Sequence, residues 1–182
     1  MTKNPHGNNG DPEGQRLATP RWFIRYLREQ GFQIDLDVCA DVDNAVCDSY
    51  YTEAEDGLAQ SWYVQPWRWA WCNPPFGDIL PWVEKVKVQQ ARGNSSLMLT
   101  PCRPETEWFY RAARSATKCS IIKPRLNYLD TTTGKIKSGI TFTSCLWEFR
   151  DYLQHEELVP VMGYRGTLRL HYLEARRPKG AI

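Results

Sequence analysis

An α/β fold is what this sequence predicts, and three observations carry that expectation. Trp67 to Cys72 is rich in strand-favouring aromatics and stops abruptly at two prolines. Trp82, Val83 and Val86 then recur at helical spacing over Pro81 to about Gln90, and Ser96 to Thr100 reads as a buried strand. Upstream, Ile34 to Cys39 alternates apolar and acidic residues in the manner of a strand. Strand, helix and strand in succession are the units of a sheet covered by helices.

Taken in order, residues 1–17 mix Asn, Gly, Pro and charges with almost no apolar side chain. Such a stretch buries too little surface to offset the entropy of ordering, so a flexible tail is expected there. Thr19 reads as an N-cap with Pro20 at the first helical position, followed by Trp22, Phe23, Tyr26 and Leu27 at helical spacing and Gly31 as a stop. After the strand at Ile34, Ala40 to Cys47 reads as polar and irregular or briefly helical, and Tyr50 and Tyr51 as a second short strand. Arg92-Gly93-Asn94 is a turn, Glu105 to about Ser115 a helix, and Cys119 to Ile122 a strand. The last third is strand-rich over Leu126 to Leu129, Gly139 to Phe149 and Thr167 to Leu173, with a loop at Thr131 to Gly134.

A chain of 182 residues suits one domain with a substantial core, expected over 18–175, with a basic tail over 176–182. The formal charge of +2 is far from the strongly basic balance of a protein that binds nucleic acid by charge alone. Six cysteines are spread singly, with no CxxC pair and no histidine at metal-ligand spacing, so free thiols are expected and no metal. The absence of a signal peptide and of an apolar run near the ~20 residues of a membrane span leads to the expectation of a cytoplasmic protein. His6, His155 and His171 form no catalytic pattern.

The richest chemistry lies in Asn73-Pro74-Pro75-Phe76. Pro74 and Pro75 fix their own φ, and Pro74 pushes Asn73 out of the helical region, so the turn has little freedom left to lose. It follows a strand, and ligands of open α/β sheets collect at the carboxyl ends of strands. An amino group on a flat base is a poor nucleophile because its lone pair is delocalised into the ring. The Asn73 side chain and the Pro74 carbonyl are acceptors for its two hydrogens, and fixed dipoles of this kind catalyse without a titrating base. Phe76 is the residue to stack on an extruded base. The competing reading is a proline-rich loop that closes a strand with Phe76 packed inward.

With these residues the chain resembles the phage-type DNA N-6-adenine methyltransferase (Dam) family. The resemblance runs through Thr19-Pro20 with Trp22, Leu36 to Ala40, Asn44-Ala45 with Cys47, Tyr50 to Glu53, Glu55 to Leu58 with Trp62, and Asn73 to Phe76. It continues in Leu99-Thr100-Pro101, Trp108-Phe109, Pro124-Arg125-Leu126 and Ser144-Cys145-Leu146, covering about residues 17–150. It implies a Rossmann-like fold in which helices cover both faces of a mixed, seven-stranded sheet with one antiparallel strand near the edge. It also implies S-adenosyl-L-methionine as methyl donor, double-stranded DNA as substrate, and a phage or prophage origin. Carried over by position, Asp37, Cys39 and Ala40 belong beside the methionine part of the donor, with Thr19 and Pro20 in the same pocket.

The chain departs from the wider methyltransferase pattern in having no Gly-x-Gly after Asp37. For the acid that binds the ribose, Asp48, Glu53 and Asp56 compete, and Asp56 is preferred. Arg103, Arg111, Arg114, Lys118, Lys123 and Arg125 are candidate phosphate contacts, with an ordinary charged face as the alternative. Arg165, Arg169 and Arg176 to Lys179 add late positive charge, and sequence choice is expected from loops between Asn127 and Gly139 or after Arg150. The rival readings are a methyltransferase for RNA or protein glutamine, and a non-catalytic nucleic-acid-binding protein on the same fold.

Overall fold

The computed structural model describes residues 17–131, 133–151 and 170–175. The expected tails over 1–16 and 176–182, Arg165, Arg169, His6, His155 and the stretch 152–169 lie outside the described residues. The elements run β1 (Leu17–Ala18), α1 (Arg21–Glu29), β2 (Gln33–Asp37), β3 (Ser49–Tyr50), β4 (Arg68–Cys72), α2 (Leu80–Ala91), β5 (Ser96–Pro101), α3 (Glu107–Ser115), β6 (Lys118–Lys123), β7 (Leu129–Asp130), β8 (Ser144–Phe149) and β9 (Leu170–Glu174). A 3-10 turn at Glu53–Glu55 follows β3.

Seven strands form one mixed sheet in the order β3-β2-β4-β5-β8-β6-β9. All are parallel except β8, which runs against both β5 and β6. The reversed strand therefore stands third from the β9 edge, with two strands outside it. The chain steps from β2 outward to β3, then returns to the other side of β2 to lay down β4 and β5. A crevice opens at the carboxyl ends of two parallel strands where successive connections diverge in this way.

Period-two alternation divides the core between the faces, except in β2, where a register shift between Ile34 and Leu36 sends these two residues to opposite faces. Ile34, Trp69, Trp71, Leu97, Leu99, Leu146 and Ile122 pack with Trp22, Phe23 and Leu27 of α1. Leu36, Ala70, Cys72, Met98, Cys145 and Trp147 pack on the other face with Val83 and Val86 of α2 and Ala112 of α3. Helices thus cover both faces. Each fully buried side chain such as Phe23 or Leu27 is worth about 1.5–3 kcal/mol over leaving it in water.

Several boundaries differ from the sequence expectation for identifiable reasons. Thr19 does not cap α1: Pro20 occupies the N-cap, its carbonyl accepting from the N–H groups of Phe23 at 2.9 Å and Ile24 at 3.4 Å. Leu17, read as the end of a flexible tail, is buried and paired with Asp130. That pairing forms a separate two-stranded ribbon, β1 with β7, which a pattern search misses because two-residue strands carry no periodicity. Thr106 rather than Glu105 starts α3, its hydroxyl accepting from the Phe109 N–H. All six cysteines are free thiols.

Candidate active site

A cavity of about 740 Å³ occupies the crevice at the ends of β2 and β4. Strand β2 delivers Asp37 and the following Val38, Cys39 and Ala40, while β4 delivers Trp71 and then Asn73 and Pro75. The β1–β7 ribbon closes the cavity from above with Leu17, Ala18, Thr19 and Thr131. Of the residues singled out from the sequence, Thr19, Asp37, Cys39, Ala40, Asp56, Asn73 and Pro75 all line this one space.

Asp37 is buried, and both its carboxylate oxygens hold the loop that follows. One accepts from the Cys39 N–H at 3.2 Å and the other from the Val46 N–H at 3.1 Å. Burial pushes its pKa up from 3.8 to about 6, with the two backbone donors pulling the other way. Arg28 of α1 secures the same loop from outside, donating to the Val46 carbonyl at 3.0 Å. Burial first, and the Asp37 charge second, push the Cys39 thiol up to about 12, so it stays protonated at neutral pH. Its role on the cavity wall is to pack, since the thiolate is the nucleophilic form.

A glycine on the cavity wall comes from another segment. Gly57 is buried on the cavity wall, and a Cβ placed there would collide with the Val38 carbonyl. Its own carbonyl accepts from the Trp62 indole N–H at 2.7 Å, and Trp62 stacks on Trp82 with ring centroids 6.1 Å apart. The glycine stands twenty positions after Asp37 in the chain, so a search for a local Gly-x-Gly passes over it. The sequence signal for it is its place in Glu55-Asp56-Gly57-Leu58.

Among the three competing acids, Glu53 and Asp56 line the cavity and Asp48 does not. Asp56 adopts a left-handed backbone, φ 53°, and its carboxylate accepts from the Leu58 N–H at 3.1 Å. Asp41 and Asp43, which carry no motif, also reach the wall, as does Asn44 of the resemblance. They belong to a stretch read as irregular or briefly helical, whose fold is set by the reciprocal Asp41 and Asn44 bonds at 2.8 and 3.3 Å. The described cavity wall thus carries five carboxylates, Asp37, Asp41, Asp43, Glu53 and Asp56, and no Lys, Arg or His.

Asn73 is the other focus. Its amide Nδ2 donates to the Leu17 carbonyl at 2.7 Å, which orients the side chain and leaves Oδ1 buried with no partner. The Thr19 hydroxyl, also on the wall, is likewise buried without a partner. A buried acceptor costs about 1–3 kcal/mol when left unmade, so two on one cavity mark a place for a donor-bearing ligand.

The remaining residues of the turn and helix lie elsewhere. Pro74 is buried and is not on the wall, and Pro20 serves as the cap of α1. Phe76 is also off the wall, half-buried between the two core clusters, in T-shaped contact with Tyr128 at 5.9 Å and Phe142 at 5.6 Å. Tyr128 in turn is fixed by a 2.9 Å hydrogen bond between its hydroxyl and that of Ser144. The tilt of Phe76 is therefore set by packing.

Comparison with known proteins gives the chain its family. Residues 7–168 match the family described as DNA N-6-adenine-methyltransferase (Dam). A DNA N-6-adenine-methyltransferase of Haemophilus phage HP1 (strain HP1c1) is 32% identical over 139 residues, spanning 74% of this chain and 76% of that protein. One of Escherichia phage T1 is 27% identical over 164 residues, spanning 82% of this chain and 68% of that protein. With most of its length matched, this chain belongs to the DNA N-6-adenine-methyltransferase (Dam) family and is an enzyme.

Proposed function

We propose that this enzyme moves a methyl group from S-adenosyl-L-methionine to the N6 amino group of adenine in double-stranded DNA, on a Rossmann-like frame. The observation that carries the reading is the orientation of Asn73. With Nδ2 held by Leu17, Oδ1 is the free acceptor on a cavity whose described wall has five carboxylates and no cationic side chain. Such a wall suits a ligand carrying positive charge and disfavours one carrying phosphates. S-adenosyl-L-methionine fits, since it bears both a sulfonium and an ammonium group, and cavities of 300–1,000 Å³ are the usual size for small-molecule sites.

When bound, S-adenosyl-L-methionine would supply an electrophilic methyl on a sulfonium sulfur, and the carbon–sulfur bonding electrons would stay with a neutral thioether. Asn73 Oδ1 and the Pro74 carbonyl accept from the two N6 hydrogens and turn the nitrogen lone pair out of conjugation with the ring. The N6 proton is lost to solvent water after the new carbon–nitrogen bond has formed. Phe76 stacks on the extruded adenine, a contact worth about 1–3 kcal/mol per base. Asp37 organises the loop beneath the donor, Gly57 lets its own segment pack against the Val38 carbonyl on the cavity wall, and Asp56 or Glu53 receives the ribose hydroxyls.

The test is incubation with labelled donor and unmethylated DNA, RNA and protein, followed by nucleoside and amino-acid analysis. The expected product is N6-methyladenine in DNA. Label confined to RNA or to glutamine would replace the acceptor, and no detectable donor binding by calorimetry would remove the donor.

A further inference from the structure

We propose that the DNA duplex rides on the β5–β6 half of the sheet's carboxyl edge, its phosphates held by Arg103, Lys123, Arg125 and Lys135, and that acids on the β2–β3 half exclude it from the donor side. The proposal rests on the DNA reading above and adds to it a surface and an orientation.

Strands β5 and β6 run parallel to β4, so the residues that follow them emerge at the same edge as Asn73 to Phe76. Arg103 comes two residues after β5, and its carbonyl accepts from the Thr106 N–H at 3.1 Å and the Thr106 hydroxyl at 2.8 Å, which pins the loop. Lys123 ends β6, and Arg125 follows just before the buried Leu126 and Tyr128. Lys135 sits on the hairpin after β7, with its carbonyl accepting from the Asp130 N–H at 2.8 Å, and Thr131 of the same hairpin lines the cavity. All four side chains are exposed, and none makes an ion pair among the described residues.

The other three basic candidates are used differently. Arg111 is held by Glu107 at 2.8 Å and Glu84 at 3.2 Å, and Arg114 lies over the Tyr110 ring at 5.6 Å. Lys118 begins β6, at the opposite edge of the sheet, and pairs with Glu148 at 3.1 Å. Across the edge, on the β2–β3 side, Asp41, Asp43, Glu53 and Asp56 are exposed around the cavity. A polyanion laid along this edge is attracted by one half and repelled by the other, and Asn73 stands between them.

The test is equilibrium binding of the full chain to a duplex oligonucleotide between 50 and 200 mM salt, with methylation kinetics beside it. Each lost phosphate contact lowers the slope of log affinity against log salt by about 0.9, so the double variant Lys123→Ala, Arg125→Ala should lose about 2 from the slope. Arg103→Ala and Lys135→Ala should each lose about 1. KM for DNA should rise at least several-fold while kcat at saturating DNA holds, and the paired variant Lys87→Ala, Arg114→Ala on α2 and α3 should keep the unaltered slope. Unchanged slopes in the edge variants, or an equal fall in the helix variant, would overturn the surface. Failure of the unaltered protein to bind or methylate DNA would instead overturn the DNA reading together with the surface.

Discussion

Asn73 donates its side-chain Nδ2 to the main-chain carbonyl of Leu17, 56 positions earlier in the chain, at 2.7 Å. That bond decides which end of the amide meets a ligand, and it makes β1 part of the candidate site. Asn73→Ala removes the acceptor and should lower methyl transfer on the order of 100-fold or more, as the loss of one oriented catalytic dipole does elsewhere. Asn73→Asp sets a carboxylate oxygen against the Leu17 carbonyl and should destabilise the fold by about 1–3 kcal/mol. Single-turnover methylation and thermal melts measure the two effects separately. Full activity in the alanine variant would reject the role of Asn73.

Gly57 is required by space and not by backbone angle. Its φ is not positive, yet an added Cβ would meet the Val38 carbonyl, which cannot withdraw without moving the end of β2. Gly57→Ala should cost about 1–3 kcal/mol in stability by overpacking and should weaken donor binding as Val38 shifts. Gly134 is the useful comparison, because its φ is +65° and the space around it is open. Gly134→Ala should cost about 1–2 kcal/mol through the left-handed backbone alone and leave donor affinity unchanged. Calorimetric titration of the donor into both variants separates the two.

The pH dependence should come from Asp37. Folding raises its pKa from 3.8 to about 6, so the folded chain binds this proton more tightly than the unfolded chain does. Its contribution to stability is fully present below about pH 4 and is lost as pH rises through 6. The shift of about two units corresponds to about 3 kcal/mol, which at neutral pH is the cost of keeping an ionised carboxylate buried. A cationic ligand offsets that cost, so donor affinity should rise between pH 5 and pH 7 with uptake of the ligand linked to release of one proton. Asp37→Asn should flatten the profile and lower affinity at pH 7, and calorimetry in two buffers of different ionisation enthalpy reads the proton directly. A flat profile in the unaltered protein would show that donor binding is not linked to the Asp37 proton.

What was legible in the sequence follows from how far each signal travels along the chain. Strand β4 and the turn after it could be read because aromatics and prolines act on their own neighbours. Strand β2 could be read because apolar and acidic residues alternate over Ile34 to Cys39, while the place of Asp37 at its end was implied by the family resemblance. The β1–β7 ribbon could not, since Leu17 and Asp130 meet through space and neither belongs to a periodic run. Asp41 and Asp43 were not legible, because they lie in a stretch whose shape depends on the bonds between Asp41 and Asn44. Gly57 was hidden because the close approach it permits is to Val38, in a different segment. The capping role given to Thr19 went instead to Pro20, and the Thr19 hydroxyl was left for the cavity.

Tyr128 separates packing from chemistry at Phe76. The Tyr128 ring meets Phe76 edge to face, and its hydroxyl shares a buried hydrogen bond with Ser144. Tyr128→Phe keeps the ring and strands one hydroxyl, so it should cost about 1 kcal/mol in stability and leave methylation intact. Tyr128→Ala opens a cavity beside Phe76 and should cost about 3–5 kcal/mol, with methylation falling further than the melt alone explains because Phe76 loses the wall that tilts it. Phe76→Leu keeps most of the packing and removes the aromatic face, so it should lose about 1–3 kcal/mol of transition-state stabilisation while melting near the unaltered protein. If Phe76→Leu instead melts early and methylates normally, Phe76 is a core residue, and the base is held by Asn73 and Pro74 alone.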